Sequence, residues 1–175
     1  MKTRRVDDRP LYPVIRIPRQ VFGVLRATRQ PRTNKLDATT AKRDRLVRIF
    51  VVDDSATARA ALKSAVEGRA DWVVVGEAVD GHHALATFHL HTPHLTLMDF
   101  IMPKMNGLDT ARHLTARHPD VLILMVTTDP STQLEKEAQG VGIKGLCPKN
   151  DIHCLLNAVE AVLAGGTYFS EEAVA

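Results

Sequence analysis

A doubly wound α/β domain with a five-stranded parallel sheet is the fold predicted over residues 46–166, and three observations predict it. Short β-branched runs alternate there with stretches of helical period, the pattern of repeated βα units. Four of the apolar runs stop at polar groups: VVDD at Asp53 and Asp54, LTLMD at Asp99, ILMVT at Thr127 and GLCPK at Lys149. Each stretch of helical period also begins at or near a residue suited to capping. If the four runs are neighbouring parallel strands, their carboxyl ends deliver three carboxylates, a hydroxyl and an ammonium to one crevice, where open α/β sheets bind ligands.

The strands are expected at Val47–Val52, Trp72–Glu77, His94–Met98, Val121–Val126 and Lys144–Cys147. Ser55 caps a first helix running toward Glu67, with Ala58, Ala61, Leu62, Ala65 and Val66 forming an i, i+3, i+4, i+7 stripe. Asp80 opens a second helix bearing Ala84, Leu85 and Phe88, and Asn106-Gly107 precedes a third bearing Leu108, Ala111 and Leu114. Pro130 suits the first turn of a fourth, ending near Gly140. Asn150 or Asp151 caps a fifth with Leu155, Leu156, Val159, Val162 and Leu163, stopped by Gly165-Gly166.

Charge divides the chain in two. Residues 1–48 carry 14 Lys or Arg against 4 Asp, net +10, and residues 49–175 carry 9 against 16, net −7. Residues 1–45 hold four prolines and no sustained period, and are expected to be a disordered basic leader. The first twenty residues lack the apolar core of a secretory signal, and no apolar run approaches the ~18 residues of a membrane span. Residues 167–175 read as a tail or the start of a linker. Cys147 and Cys154 make neither a disulfide framework nor a zinc set, which favours a cytoplasmic location. The eight histidines show no metal-ligand spacing.

Adjacent acids at a strand end repel, and a divalent cation relieves the repulsion. Carboxylate and carbonyl oxygens suit Mg²⁺, which keeps several waters and readily shares its shell with a phosphoryl group. Asp53 and Asp54 are therefore candidate Mg²⁺ ligands, joined by Asp99, which is also the candidate nucleophile for a phosphoryl group. Lys149 and Thr127 offer a point charge and a hydroxyl for the charge that develops. Singly, each has a plain structural reading: Asp53 and Asp54 as caps, Asp99 as a turn residue, Thr127 as a loop start, Lys149 as a surface lysine. Five coincidences at successive strand ends favour a site.

VVDDS, MDFIMPKMNGLD, MVTTD and CPKND together resemble the receiver domain of bacterial two-component response regulators, over about 120 of the 175 residues. VVVGEAVDGHHAL and GIKGLCPKNDIHCLLNAVEAVLAGGTYFS are similar to the NarL/FixJ (LuxR-type) subfamily. The resemblance implies a flavodoxin-like (βα)5 fold. It implies Asp99 as phospho-acceptor, and Asp53 and Asp54 holding Mg²⁺ with the backbone carbonyl of Phe100 or Ile101. It implies Thr127 as switch hydroxyl and Lys149 as phosphate-binding lysine, with a sensor histidine kinase as donor, an unknown output protein and room for a homodimer. Such a domain is a signalling switch rather than a turnover enzyme.

Several positions depart from the family's pattern. Leu146 stands where an aromatic switch residue is usual, and Thr128 where a small residue is usual. Ile101, two residues past Asp99, is apolar and is expected to shield an acyl phosphate and lengthen its life. Pro148 precedes Lys149, so a cis bond, if present, would be Cys147-Pro148. A receiver without a helix-turn-helix is the expectation, with an atypical DNA-binding regulator of the LuxR type as the alternative. The leader's charge is expected to be solvated rather than bound to nucleic acid. A phosphohydrolase of the haloacid dehalogenase type would need a DxD pair at one strand end, whereas here the acids are adjacent and the candidate nucleophile lies on a later strand.

Overall fold

The computed structural model describes residues 46–169. The expectations for residues 1–45 and 170–175 lie outside them. Five parallel strands, β1 (Val47–Val52), β2 (Trp72–Ala78), β3 (Leu95–Asp99), β4 (Ile123–Thr127) and β5 (Gly145–Pro148), form one sheet in the order β2-β1-β3-β4-β5. Helices α1 (Ala56–Glu67), α2 (Gly81–His91), α3 (Gly107–Arg117), α4 (Thr132–Gly140) and α5 (Ile152–Leu163) alternate with them. The fold is the expected flavodoxin-like (βα)5 arrangement.

The strands run continuously apolar because both faces are covered. Along β1, Ile49 and Val51 pack with Leu62 and Val66 of α1 and Leu155, Ala158, Val159 and Val162 of α5. Phe50 and Val52 point the other way, to Ala84 and Phe88 of α2, Leu108 and Leu114 of α3, and Leu134 and Ala138 of α4. β3 and β4 are buried at every residue, which leaves their carboxyl ends as the places where side chains emerge toward a crevice. The chain winds to one side of β1 for β2 and to the other for β3, so the topological switch point lies between the ends of β1 and β3.

Local chemistry explains the helix starts. Ser55, Asp80, Asn106 and Asp151 each accept a backbone N–H three residues on and cap α1, α2, α3 and α5. The fourth helix differs from expectation: Ser131 Oγ accepts Leu134 N–H and is the cap, so Pro130 lies outside the first turn. A proline has no side-chain acceptor for the exposed amides, and the serine beside it does. Gly165, at φ +86°, stops α5 by letting Gly165 and Gly166 donate to Val162 and Ala161, the pairing that satisfies a helix's last carbonyls.

Residues beyond α5 return to the sheet. Tyr168 N–H donates to the Lys144 carbonyl at 2.8 Å, and Leu146 N–H donates to the Tyr168 carbonyl at 2.9 Å. This covers the edge of β5, which would otherwise present unpaired backbone groups. The close approach needs a glycine at 145, where a Cβ would sit 2.8 Å from the Tyr168 carbonyl oxygen. All peptide bonds among the described residues are trans, Cys147-Pro148 included.

Candidate functional site

Asp53 follows β1 directly, Asp99 and Thr127 are the last residues of β3 and β4, and Lys149 follows β5. β2 to β5 each end one residue later than expected, so Asp99 and Thr127 are held by the ladder itself: Asp99 pairs with Val126 and Thr127 with Pro148. The sheet thus carries these groups on rigid backbone.

Lys149 is the centre of the cluster. Its Nζ lies 2.7 Å from Asp53 Oδ2 and 2.9 Å from Asp99 Oδ2. Asp53 is fully buried; its Oδ1 accepts Ser55 N–H at 2.9 Å, while its Oδ2 has the ammonium close by without the alignment of a hydrogen bond. Asp99 Oδ1 accepts Ile101 N–H at 3.2 Å. Asp54 is exposed, yet it offers a carboxylate oxygen within 4.8 Å of oxygens from Asp53 and Asp99. Three carboxylates against one ammonium leave two negative charges, the charge of one divalent cation. Hard oxygen donors within 4.8 Å of one another and the surplus negative charge fit such an ion.

Electrostatics follow from burial and neighbours. Burial pushes the Asp99 carboxyl above the usual carboxylate range, partly offset by Lys149. Burial alone would lower Lys149, but the carboxylates of Asp53 and Asp99 outweigh it and hold the ammonium above its ordinary value. Lys149 is therefore a firmly charged group between two buried acids.

Thr127 is buried, and its Oγ1 accepts Asp129 N–H at 3.3 Å, while its carbonyl takes Lys149 N–H at 2.8 Å. Thr128 is exposed. Leu146 is buried among the residues facing α2, α3 and α4. Ile101 is 57% exposed and lines a shallow groove with Phe100, Asp129, Ser131 and Leu134.

The structure brings Asp53, Asp54, Asp99 and Lys149 together, sets Thr127 at the end of β4 with its hydroxyl on Asp129 N–H, and adds groups that sequence reasoning missed. Arg59 of α1 donates through Nη1 to the carbonyls of Asp53 and Asp54 at 2.9 and 3.3 Å, and through Nε to Glu77 at 3.1 Å. It braces the turn that aims the two acids. In the sequence it is one more helix arginine, and nothing marks its reach back to β1. Gly107, first residue of α3, lies so close to β3 that a Cβ would be 2.1 Å from the Asp99 carbonyl oxygen. Its N–H donates to the Phe100 carbonyl at 2.9 Å. The Asn106-Gly107 pair signalled a helix start, but not this contact.

Residues 49–160 match the model of the response regulator receiver domain. Among curated proteins, the transcriptional regulatory protein DegU of Brevibacillus brevis is 30% identical over 123 residues, 70% of this chain and 52% of DegU. The BvgA regulator of Bordetella pertussis is 28% identical, over 70% of this chain and 58% of BvgA. The chain thus spans about half the length of these relatives. Among solved structures, a LuxR-family two-component response regulator from Aurantimonas sp. SI85-9A1 superposes with a TM-score of 0.70 at 29% identity, covering 74% of this chain and 93% of that one. The receiver domain of a NarL regulator from Mycobacterium tuberculosis gives 0.64 at 27% identity, covering 69% and 98%. On the matched motifs, the sheet order and the acidic crevice, the chain belongs to the response regulator receiver domain family of two-component signalling.

Proposed function

We propose that Asp99 accepts a phosphoryl group from the phosphohistidine of a sensor histidine kinase, or from a small acyl phosphate, and that the modified domain changes a protein-binding face. The bridging of Asp53 and Asp99 by Lys149, with Asp54 beside them, carries this reading. A carboxylate oxygen of Asp99 bonds to phosphorus as the donor's P–N or acyl P–O bond breaks, and the electron pair leaves with the donor.

Asp53, Asp54 and Asp99 would hold Mg²⁺. Of the two carbonyls considered as a further ligand, that of Phe100 already accepts Gly107 N–H, which favours Ile101. When bound, the ion neutralises the surplus charge and polarises the phosphoryl oxygens. Lys149 meets the charge on the transferred group. Thr127, fixed at the end of β4, is the hydroxyl that turns inward, so that the shift reaches the face of α4, β5 and α5. Leu146 already fills its core position as an aliphatic side chain, so the readout does not depend on rotation of an aromatic ring there.

Residues 46–166 act as the receiver in this reading, joined by Tyr168, which pairs with β5, with 1–45 as a leader and the rest of 167–175 as a tail or linker. The partners are the kinase, an output protein and, in one arrangement, a second copy. Cys147 and Cys154 are buried thiols outside any disulfide, which supports a reducing cytoplasmic setting, and no helix among the described residues is long and apolar enough to cross a membrane. DNA binding is the alternative, supported by the names of relatives such as DegU.

Incubation with acetyl phosphate and Mg²⁺, followed by intact mass, tests the reading. Wild type gains one phosphoryl group and Asp99→Ala gains none; equal labelling would end it. In the same samples, with Ile101 exposed beside Asp99, the label outlasts a decay of seconds after the donor is removed.

A further inference from the structure

The segment between β3 and α3 is a closed loop. Its base is the hydrogen bond from Gly107 N–H to the Phe100 carbonyl, and from that base Ile101 N–H reaches Asp99 Oδ1. Its tip is strained. Lys104 has φ +68°, and Met105 N–H donates to the Pro103 carbonyl at 2.8 Å, closing a three-residue γ-turn of the hand that side chains disfavour. A glycine would adopt this conformation without penalty, yet the residue is a lysine.

The lysine side chain has a specific partner. Lys104 Nζ lies 2.9 Å from Asp80 Oδ2, and Asp80 Oδ1 accepts His83 N–H at 2.8 Å. Asp80 is buried and caps α2, so one carboxylate serves a helix end and a loop tip at once. The next residue, Met105, packs at the start of that helix, 3.0 Å from where a Cβ of Gly81 would be. The loop that starts at Asp99 is therefore pinned at its base by Gly107 and at its tip by Asp80.

We propose that Lys104, acting through Asp80, is a positioning residue for phosphoryl acceptance: the ion pair holds the strained turn, and the turn holds Ile101 N–H against the Asp99 carboxylate. This rests on the receiver reading of Asp99. Lys104 touches none of the reacting atoms. Its effect is to keep Asp99 Oδ1 occupied by the loop, with Oδ2 toward Lys149.

The experiment compares phosphoryl uptake from acetyl phosphate with Mg²⁺, and the thermal midpoint, for the full chain and its variants. Asp80→Asn keeps an acceptor for His83 N–H and removes the charge, and Lys104→Gln removes the other partner. Each is expected to slow uptake about fivefold, the scale of one partly exposed ion pair, and the double variant no further. Lys104→Arg restores the rate. Lys104→Gly separates positioning from stability: it relieves the turn and raises the midpoint while still slowing uptake. Wild-type rates in both single variants, additive losses in the double, or rates that only follow the midpoint would overturn the proposal. Labelling of Asp99→Ala at the wild-type level would instead remove the receiver reading, and this inference with it.

Discussion

At the carboxyl ends of β1, β3 and β5, Asp53, Asp99 and Lys149 crowd together with more negative than positive charge. At the amino ends of β1 and β3, the polar groups satisfy one another. Arg48 N–H donates to His94 Nδ1 at 3.1 Å, Arg48 Nε donates to the Thr92 carbonyl at 2.9 Å, and His94 N–H donates to the Arg48 carbonyl at 2.8 Å. The same strands thus end once in matched hydrogen bonds and once in a charge imbalance. The polar groups of the amino end satisfy one another at the surface; the carboxyl end gathers buried acids in excess of its one ammonium, where a ligand would complete the balance.

Removing the ammonium should strain this contrast most. Lys149→Met leaves Asp53 and Asp99 facing each other with no cation, and stability at neutral pH falls by roughly 3 kcal/mol, as for a buried pair stripped of one partner. Millimolar Mg²⁺ recovers part of the loss if the three carboxylates bind it. Urea unfolding with and without Mg²⁺ measures both effects, and an unchanged midpoint would mean that the crevice tolerates its charge without Lys149.

The amino end should respond in stability alone. Thr92, the C-cap of α2, has φ +42°, a left-handed conformation that a β-branched residue adopts under strain. Thr92→Gly is expected to raise stability by about 0.5–1 kcal/mol and leave phosphoryl uptake unchanged. A change in uptake would show that the two ends are coupled.

The smallest effect is a pH dependence at His94. Partial burial, helped by the Arg48 charge, holds its imidazole below the ordinary value of 6.5, and Nδ1 accepts Arg48 N–H in the unprotonated form. The folded form therefore binds the proton less readily than the unfolded form. Stability is flat above that value and declines as pH falls through it toward the lower folded value. The residue is only partly buried, so the slope is shallow. His94→Asn should flatten it in urea titrations; a slope unchanged by the substitution would place its origin elsewhere.

Much of this was legible in one dimension. Strand and helix identities followed from period and caps, and the five site residues followed from polar groups at the ends of apolar runs. The errors were local and physical. Pro130 read as a first-turn residue because its fixed φ suits one, but Ser131 supplies the acceptor that a proline lacks. The cap at Asp80 was legible, but its pairing with Lys104 and the reach of Arg59 were not, because the lysine and arginine read as ordinary surface charge and these partners lie 5, 6, 18 or 24 positions away.

By itself the sequence determined the order of elements, the alternation of both sheet faces and the chemical kinds gathered at the carboxyl ends, because backbone period and side-chain type are local properties. Only the tertiary structure decided that Lys149 spans Asp53 and Asp99, that Gly107 abuts the Asp99 carbonyl, and that the loop tip at Lys104 is anchored to α2. Those facts depend on distances between segments far apart in the chain. Such distances are set by how the helices pack across the two faces of the sheet and by where the strand order reverses.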